Sequence, residues 1–159
     1  MDSEPLWKLG FLTIGLFDET DPRRGHESTL DVIALGERLG FDSAWVRHRH
    51  LQYGISSPVA VLAAATQRTS RIELGTAVIP VGWENPLRLA EDLSTVDILS
   101  GGRLNPGVSI GPPLHYALIS RGLAPEDVVD ASLAMLVPWL ETRQTKRARR
   151  RSATRPKGR

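Results

Sequence analysis

The sequence contains no cysteine. That excludes disulfides, thiolate nucleophiles and cysteine-ligated zinc, and it fits a cytoplasmic protein. No uninterrupted apolar run approaches the ~18 residues of a membrane-crossing helix, so no membrane-spanning segment is expected. The first residues, MDSEPLWKLG, carry no basic stretch ahead of an apolar core and do not read as a signal peptide. Acidic residues are scarce in one place. Residues 141–159 hold nine Lys+Arg and a single acid, Glu141, whereas residues 1–140 hold 11 Lys+Arg against 17 Asp+Glu. The body is therefore mildly acidic and the end strongly basic. The net charge of +2 hides this split and gives no reason to expect the body to bind nucleic acid.

What is present suits one globular domain. The chain has 159 residues, 41% apolar and 24% charged. LGFLTIGLF (Leu9–Phe17) reads as a buried strand, and DETDPRRG as the loop after it. ESTLDVIALGERLG predicts a helix with Val32, Leu35, Gly36 and Leu39 on its inner face and Gly40 as its stop. FDSAWV (Phe41–Val46) predicts a second strand. Ser57 and Pro58 suit the N-cap and first turn of a second helix, and Asn85 and Pro86 repeat that signal for a third. The third helix keeps Leu89, Leu93 and Val96 on one side and stops at Gly101-Gly102. RIELGTAVIPVG (Arg71–Gly82) and RLNPGVSIG (Arg103–Gly111) read as the third and fourth strands, with Pro106 expected at the start of the fourth.

The order βαβαβαβ, with strands apolar throughout, predicts an α/β protein with a parallel sheet covered by helices. Ligands bind such sheets beyond the C-terminal ends of the strands. The polar run Arg47, His48, Arg49, His50 falls at one such end. From the residues alone it reads either as a solvated loop or as the mouth of a site. His48 and His50 have a spacing that could ligate a metal, but no carboxylate or third histidine lies close in sequence, so no metal is expected. Glu91 and Asp92 lie mid-helix and read as surface groups. Arg88 and Arg103 read as structural partners of Glu91, Asp92 or Asp97, and Trp45 and Trp83 as core fillers.

GFDSAWVRHRHLQYG, RIELGTAVIP, ENPLRLAEDLSTVDILSGGRL and PGVSIG together resemble the bacterial luciferase-like flavin-dependent monooxygenases over about residues 9–113. The resemblance implies the N-terminal half of a (β/α)8 TIM barrel. It implies binding of reduced FMN, supplied by a separate flavin reductase, or of the deazaflavin F420. It also implies reaction of the reduced flavin with oxygen to oxidise a small organic substrate. A Glu-His-His triplet of the family falls on His48, Arg49 and His50, so the central histidine is replaced by Arg49. His50 is then the acid–base or hydrogen-bonding candidate. Arg49 is the candidate for stabilising an anionic reduced flavin or a peroxide. The family's third strand passes the isoalloxazine ring with small residues and sometimes a non-proline cis peptide. Those positions are Gly75, Thr76, Ala77 and Val78, with Ala77–Val78 the place for the cis bond. A phosphate-binding arginine of luciferases is matched by Ile110, which leaves Ser109, Gly111 and backbone N–H groups for that role.

The resulting organisation is an N-terminal extension (1–8), the barrel-like segment (9–115), a divergent helical segment (116–140) and a basic disordered tail (141–159). The tail has three readings: a nucleic-acid or acidic-membrane binder, a functionless end, or out-of-frame translation, the last being favoured. A (β/α)8 barrel needs about 250 residues. Four strands leave two open edges, and pairing into a homodimer, a marginal monomer and aggregation are the outcomes left open. The competing functional readings are a flavin monooxygenase, an impaired relative that binds flavin weakly or not at all, and a binding module using the cationic tail.

Overall fold

The computed structural model describes residues 8–49 and 52–110. His50, Gly111, the segment 116–140 and the basic tail lie outside these residues. Two compact units are present. The first comprises the described residues up to Pro80 together with Asp92–Ser109, and the described part of the second is Val81–Glu91 with Ile110.

Four strands, β1 (Gly10–Thr13), β2 (Ser43–Val46), β3 (Glu73–Pro80) and β4 (Leu104–Ser109), form one sheet in the order β1-β2-β3-β4. All three pairings are parallel. The connections contain α1 (Pro22–Arg38), α2 (Pro58–Thr66) and α3 (Pro86–Leu99), with one 3-10 turn at Val81–Trp83. Sequential parallel strands joined by helices are the repeating unit of a (β/α)8 barrel. The strands are shorter than the apolar runs that mark them, because those runs continue into the loops at the strand ends.

Each helix opens with a polar cap followed by proline. Ser57 Oγ accepts from Ala60 N–H at 3.4 Å, and Asn85 Oδ1 accepts from Arg88 N–H at 3.0 Å, as the sequence predicts. The same device starts α1. Asp21 Oδ1 accepts from Arg24 N–H at 3.0 Å and Pro22 follows, so this helix begins within the segment that the sequence suggests is a loop. The inner face of α1 also differs from the expectation. Thr29, Leu30, Ile33 and Gly36 are buried, whereas Val32, Leu35 and Leu39 are exposed. The reason is Gly36. A Cβ there would lie 2.3 Å from the Phe11 ring, so the β1 aromatic occupies the glycine notch and fixes the roll of the helix. In α3, Leu89, Leu93 and Val96 are buried as expected, and Gly101 and Gly102 follow with φ of 69° and 86°.

Ala44, Val46, Leu74 and Leu104 are fully buried beside Ile33, Leu62 and Ile72. The N-terminal ends of the strands are tied by two opposite charges. Glu37 accepts from the backbone N–H groups of Ser70, Arg71 and Ile72 at 2.7–3.0 Å. Arg103 donates to the carbonyls of Thr69, Ile72 and Ser100 at 2.7–3.0 Å, to that of Thr66 at 3.5 Å, and to the Thr69 hydroxyl at 3.0 Å. Arg103 therefore holds backbone carbonyls, and the expected pairing with Glu91, Asp92 or Asp97 is not what the structure has. Its position beside a loop rich in free carbonyls decides this. Arg88 does pair with Glu91, at 2.8 Å.

Pro106 is the third residue of β4 and stands opposite Thr76, not at the strand's start. It is tolerated because the ladder breaks there. Pairing runs Thr76↔Pro106 and resumes at Ile79↔Val108, so Ala77 and Val78 face the single Gly107. The Ala77–Val78 peptide is cis.

Candidate functional site

The C-terminal ends of β1 and β2 carry two loops that interlock. Phe17 N–H donates to Tyr53 O at 3.3 Å, and Arg49 N–H donates to Ile55 O at 2.7 Å. Gly15 has φ of 62°, and a Cβ on it would lie 2.4 Å from Ile55, which is fully buried. The Phe17 ring lies 4.9 Å from His26 and 6.4 Å from Tyr53, centroid to centroid. The Tyr53 hydroxyl donates to Glu19, and this bond raises the phenol above its ordinary 10.0. These contacts root the segment that bears the histidine–arginine run.

Within that run Arg47 is exposed, and His48 and Arg49 are half-buried. Arg49 Nη1 donates to Gln52 Oε1 at 3.2 Å. Its Nε is buried without an acceptor, and no carboxylate pairs with it among the described residues. A half-buried guanidinium held by a neutral amide keeps its charge available to an anion. Sequence reasoning misses Gln52. The signal for it is its spacing, three residues beyond Arg49 and two before Gly54, where a Cβ would lie 3.1 Å from the Arg49 side chain.

The β3 positions divide into three environments. Gly75 is buried beneath Trp45, its partner in register, and a Cβ on it would lie 2.3 Å from the indole. The surface at this point is therefore the Trp45 ring, which is half-buried and not a core filler. Trp45 Nε1 donates to Ser43 Oγ at 3.0 Å, which fixes the ring's tilt. Thr76 is fully buried, with its hydroxyl on Gly107. Ala77 is half-buried and Val78 is exposed. Ser109 ends β4 opposite Pro80 and is half-buried. The sheet thus brings Arg49, Ala77, Val78 and Ser109 to the C-terminal ends of adjacent strands β2, β3 and β4. His50 and Gly111 fall outside the described residues.

Comparison with known proteins follows the same lines. Residues 10–124 match the luciferase-like monooxygenase family. The chain is 38% identical over 112 residues to the 4-hydroxyprotoasukamycin monooxygenase of Streptomyces nodosus subsp. asukaensis, covering 67% of this chain and 29% of that protein. It is 32% identical over 101 residues to the alkanal monooxygenase alpha chain of Photobacterium phosphoreum, covering 60% of this chain and 29% of that one. An F420-dependent glucose-6-phosphate dehydrogenase of Amycolatopsis mediterranei is 32% identical over 108 residues, covering 64% of this chain and 32% of that one. The chain thus spans about a third of the length of these relatives. Among solved structures, the oxygenating constituent of 3,6-diketocamphane monooxygenase from Pseudomonas putida, in complex with FMN, superposes with a TM-score of 0.70 at 19% identity. That match covers 79% of this chain and 37% of that one. Monooxygenase RslO1 from Streptomyces bottropensis superposes with a TM-score of 0.66 at 27% identity, covering 86% of this chain and 41% of that one. On the family match and the four parallel strands joined by three helices together, this chain belongs to the luciferase-like monooxygenase family.

Proposed function

We propose that this chain forms the flavin-facing part of a monooxygenase that uses reduced FMN and molecular oxygen on a small organic substrate. The observation that carries the reading is Arg49, a half-buried cation at the end of β2 with a buried Nε that has no acceptor. An anionic group of a reduced flavin fits that donor. When bound, the flavin supplies the electrons for the oxidation. In this reading Arg49 holds the anionic part by charge and hydrogen bonding, while Ala77 and Val78 with the Trp45 ring over Gly75 form an apolar wall that limits water near the ring. His48 borders the site and His50 is the proton-handling candidate. Ser109 and Gly111 are the hydrogen-bonding candidates for the phosphate.

F420 is the alternative cofactor, supported by the F420-dependent relative. A separate reductase as electron donor and a homodimer that pairs two sheets belong to the same proposal. Titration of the purified chain with FMN and with F420, read by Trp fluorescence and accompanied by mass measurement, tests it. Saturable FMN binding that weakens about tenfold or more in Arg49→Gln is expected, since a charge-assisted hydrogen bond contributes ~1.5–3 kcal/mol. Binding unaffected by Arg49→Gln removes the assigned role of that residue. No binding of either cofactor refutes the flavin reading.

A further inference from the structure

The seam between β3 and β4 holds a second device. At the point where pairing slips by one residue, a side chain takes part in the ladder. Thr76 Oγ1 accepts from Gly107 N–H at 2.9 Å and donates to Gly107 O at 2.8 Å. One hydroxyl can do both because it carries a donor and two acceptor lone pairs. Thr76 is fully buried, so water does not compete for these bonds. The strands also approach closely here. A Cβ on Gly107 would lie 2.3 Å from Thr76 O and 3.4 Å from the Val78 side chain.

We propose that Thr76 is a positioning residue whose hydroxyl clamps Gly107 and so fixes the one-residue offset that presents Ala77 and Val78. In a strand a shift of one residue exchanges the two faces. Beyond Thr76, the offset decides which β3 side chains lie on which side of the sheet. The clamp needs a hydroxyl on a short, β-branched side chain opposite a residue without Cβ, and Thr76 with Gly107 supplies both. Valine has nearly the shape of threonine and none of its hydrogen bonding. In Thr76→Val, Gly107 loses both bonds and the local pairing relaxes toward a different offset. The inference rests on the reading that Ala77 and Val78 front the flavin, but the clamp itself can be tested without flavin.

The experiment has two arms on the full chain. Amide hydrogen exchange by NMR reads the clamp directly. Gly107 is expected to be protected in the native chain and in Thr76→Ser, and to exchange at least about tenfold faster in Thr76→Val. A Gly107 amide that exchanges freely in the native chain overturns the proposal, and this measurement stands even where the valine variant does not fold. FMN titration, at a temperature where all variants are folded by far-UV circular dichroism, reads the positioning. Thr76→Ser is expected to bind within about twofold of the native chain and Thr76→Val about tenfold more weakly. Faster Gly107 exchange with unchanged FMN affinity overturns the positioning role. Failure of the native chain to bind FMN or F420 refutes the flavin reading, while the exchange arm still decides the clamp.

Discussion

Glu37 offers the sharpest test of how this sheet is held. Its carboxylate lies at the end of α1 and accepts from Ser70, Arg71 and Ile72 N–H, with the Ser70 hydroxyl at 3.3 Å as a further donor. Burial works against the charge, but the N–H groups of Ile72, Arg71 and Ser70 outweigh it, and the carboxyl falls from 4.5 to about 2. Because the folded pKa is depressed, the unfolded chain takes up the proton first as pH falls. The contribution is therefore fully present above about pH 4.5 and is lost between there and about pH 2. A shift of this size corresponds to ~3 kcal/mol, reduced to about 2 kcal/mol because solvent screens a half-buried group.

Glu37→Gln is the matching perturbation. The amide keeps one acceptor oxygen but turns an NH2 group toward N–H donors, so the loop before β3 loses part of its anchoring. Urea unfolding of the native chain and of Glu37→Gln, followed by far-UV circular dichroism from pH 7 down to pH 2, reads the effect. The gap between the two proteins is expected to be about 2 kcal/mol at pH 7 and to close as pH falls from about 4.5 to about 2. A gap that stays constant across that range would show that Glu37 acts by packing and not by its charge, and would refute the assignment of its carboxylate as the anchor of the loop.

Three further outcomes follow from local geometry. Arg103→Lys replaces a fork that reaches four backbone carbonyls by a point charge with fewer donors, and should lower urea stability by about 2 kcal/mol. Gly75→Ala places a Cβ against the indole, so a changed Trp near-ultraviolet circular dichroism spectrum is expected, and an unchanged spectrum would mean Trp45 does not lie on Gly75. Tyr53 should form tyrosinate above pH 10.0, read by ultraviolet absorbance in a Tyr116→Phe background, and Glu19→Gln should bring the midpoint down.

The sequence makes the four strands and three helices legible because most of them carry a strong local signal. The apolar runs mark the strands, Ser57-Pro58 and Asn85-Pro86 mark helix starts, and Gly101-Gly102 marks a stop. Asp21-Pro22 is the same signal, obscured by the charged residues around it. The roll of α1 is not legible, since Val32, Leu35 and Leu39 are as apolar as the residues that are buried. It depends on the fit of Phe11 into Gly36, a contact between residues distant in sequence. The role of Arg103 is hidden for a related reason. Backbone carbonyls are its partners, and no residue type announces them. At the site, the small residues of β3 suggest a smooth wall. Trp45 over Gly75 and the Thr76 hydroxyl on Gly107 arise from strand register, which periodicity does not specify.

The two ends of the sheet use charge differently, and this difference bears on where a ligand fits. At the N-terminal ends, charges are consumed internally. Glu37 holds three N–H groups, and Glu73 accepts from Lys8 at 2.9 Å and from Asn105 at 2.7 Å. At the C-terminal ends, Asp18 accepts from Thr20 and Glu19 accepts from Tyr53, so the nearby carboxylates are bound to neutral groups. Arg49 is left with Gln52. A cation held without a counter-charge costs stability through its desolvation, and it favours whatever anion can reach it. Arginine fits this use better than lysine. It remains charged, and its Nε and Nη groups form a fixed donor fork for a planar or tetrahedral oxyanion. The donor fork of Arg49, and not its charge alone, should therefore set anion binding at this end of the sheet, so that Arg49→Lys weakens it.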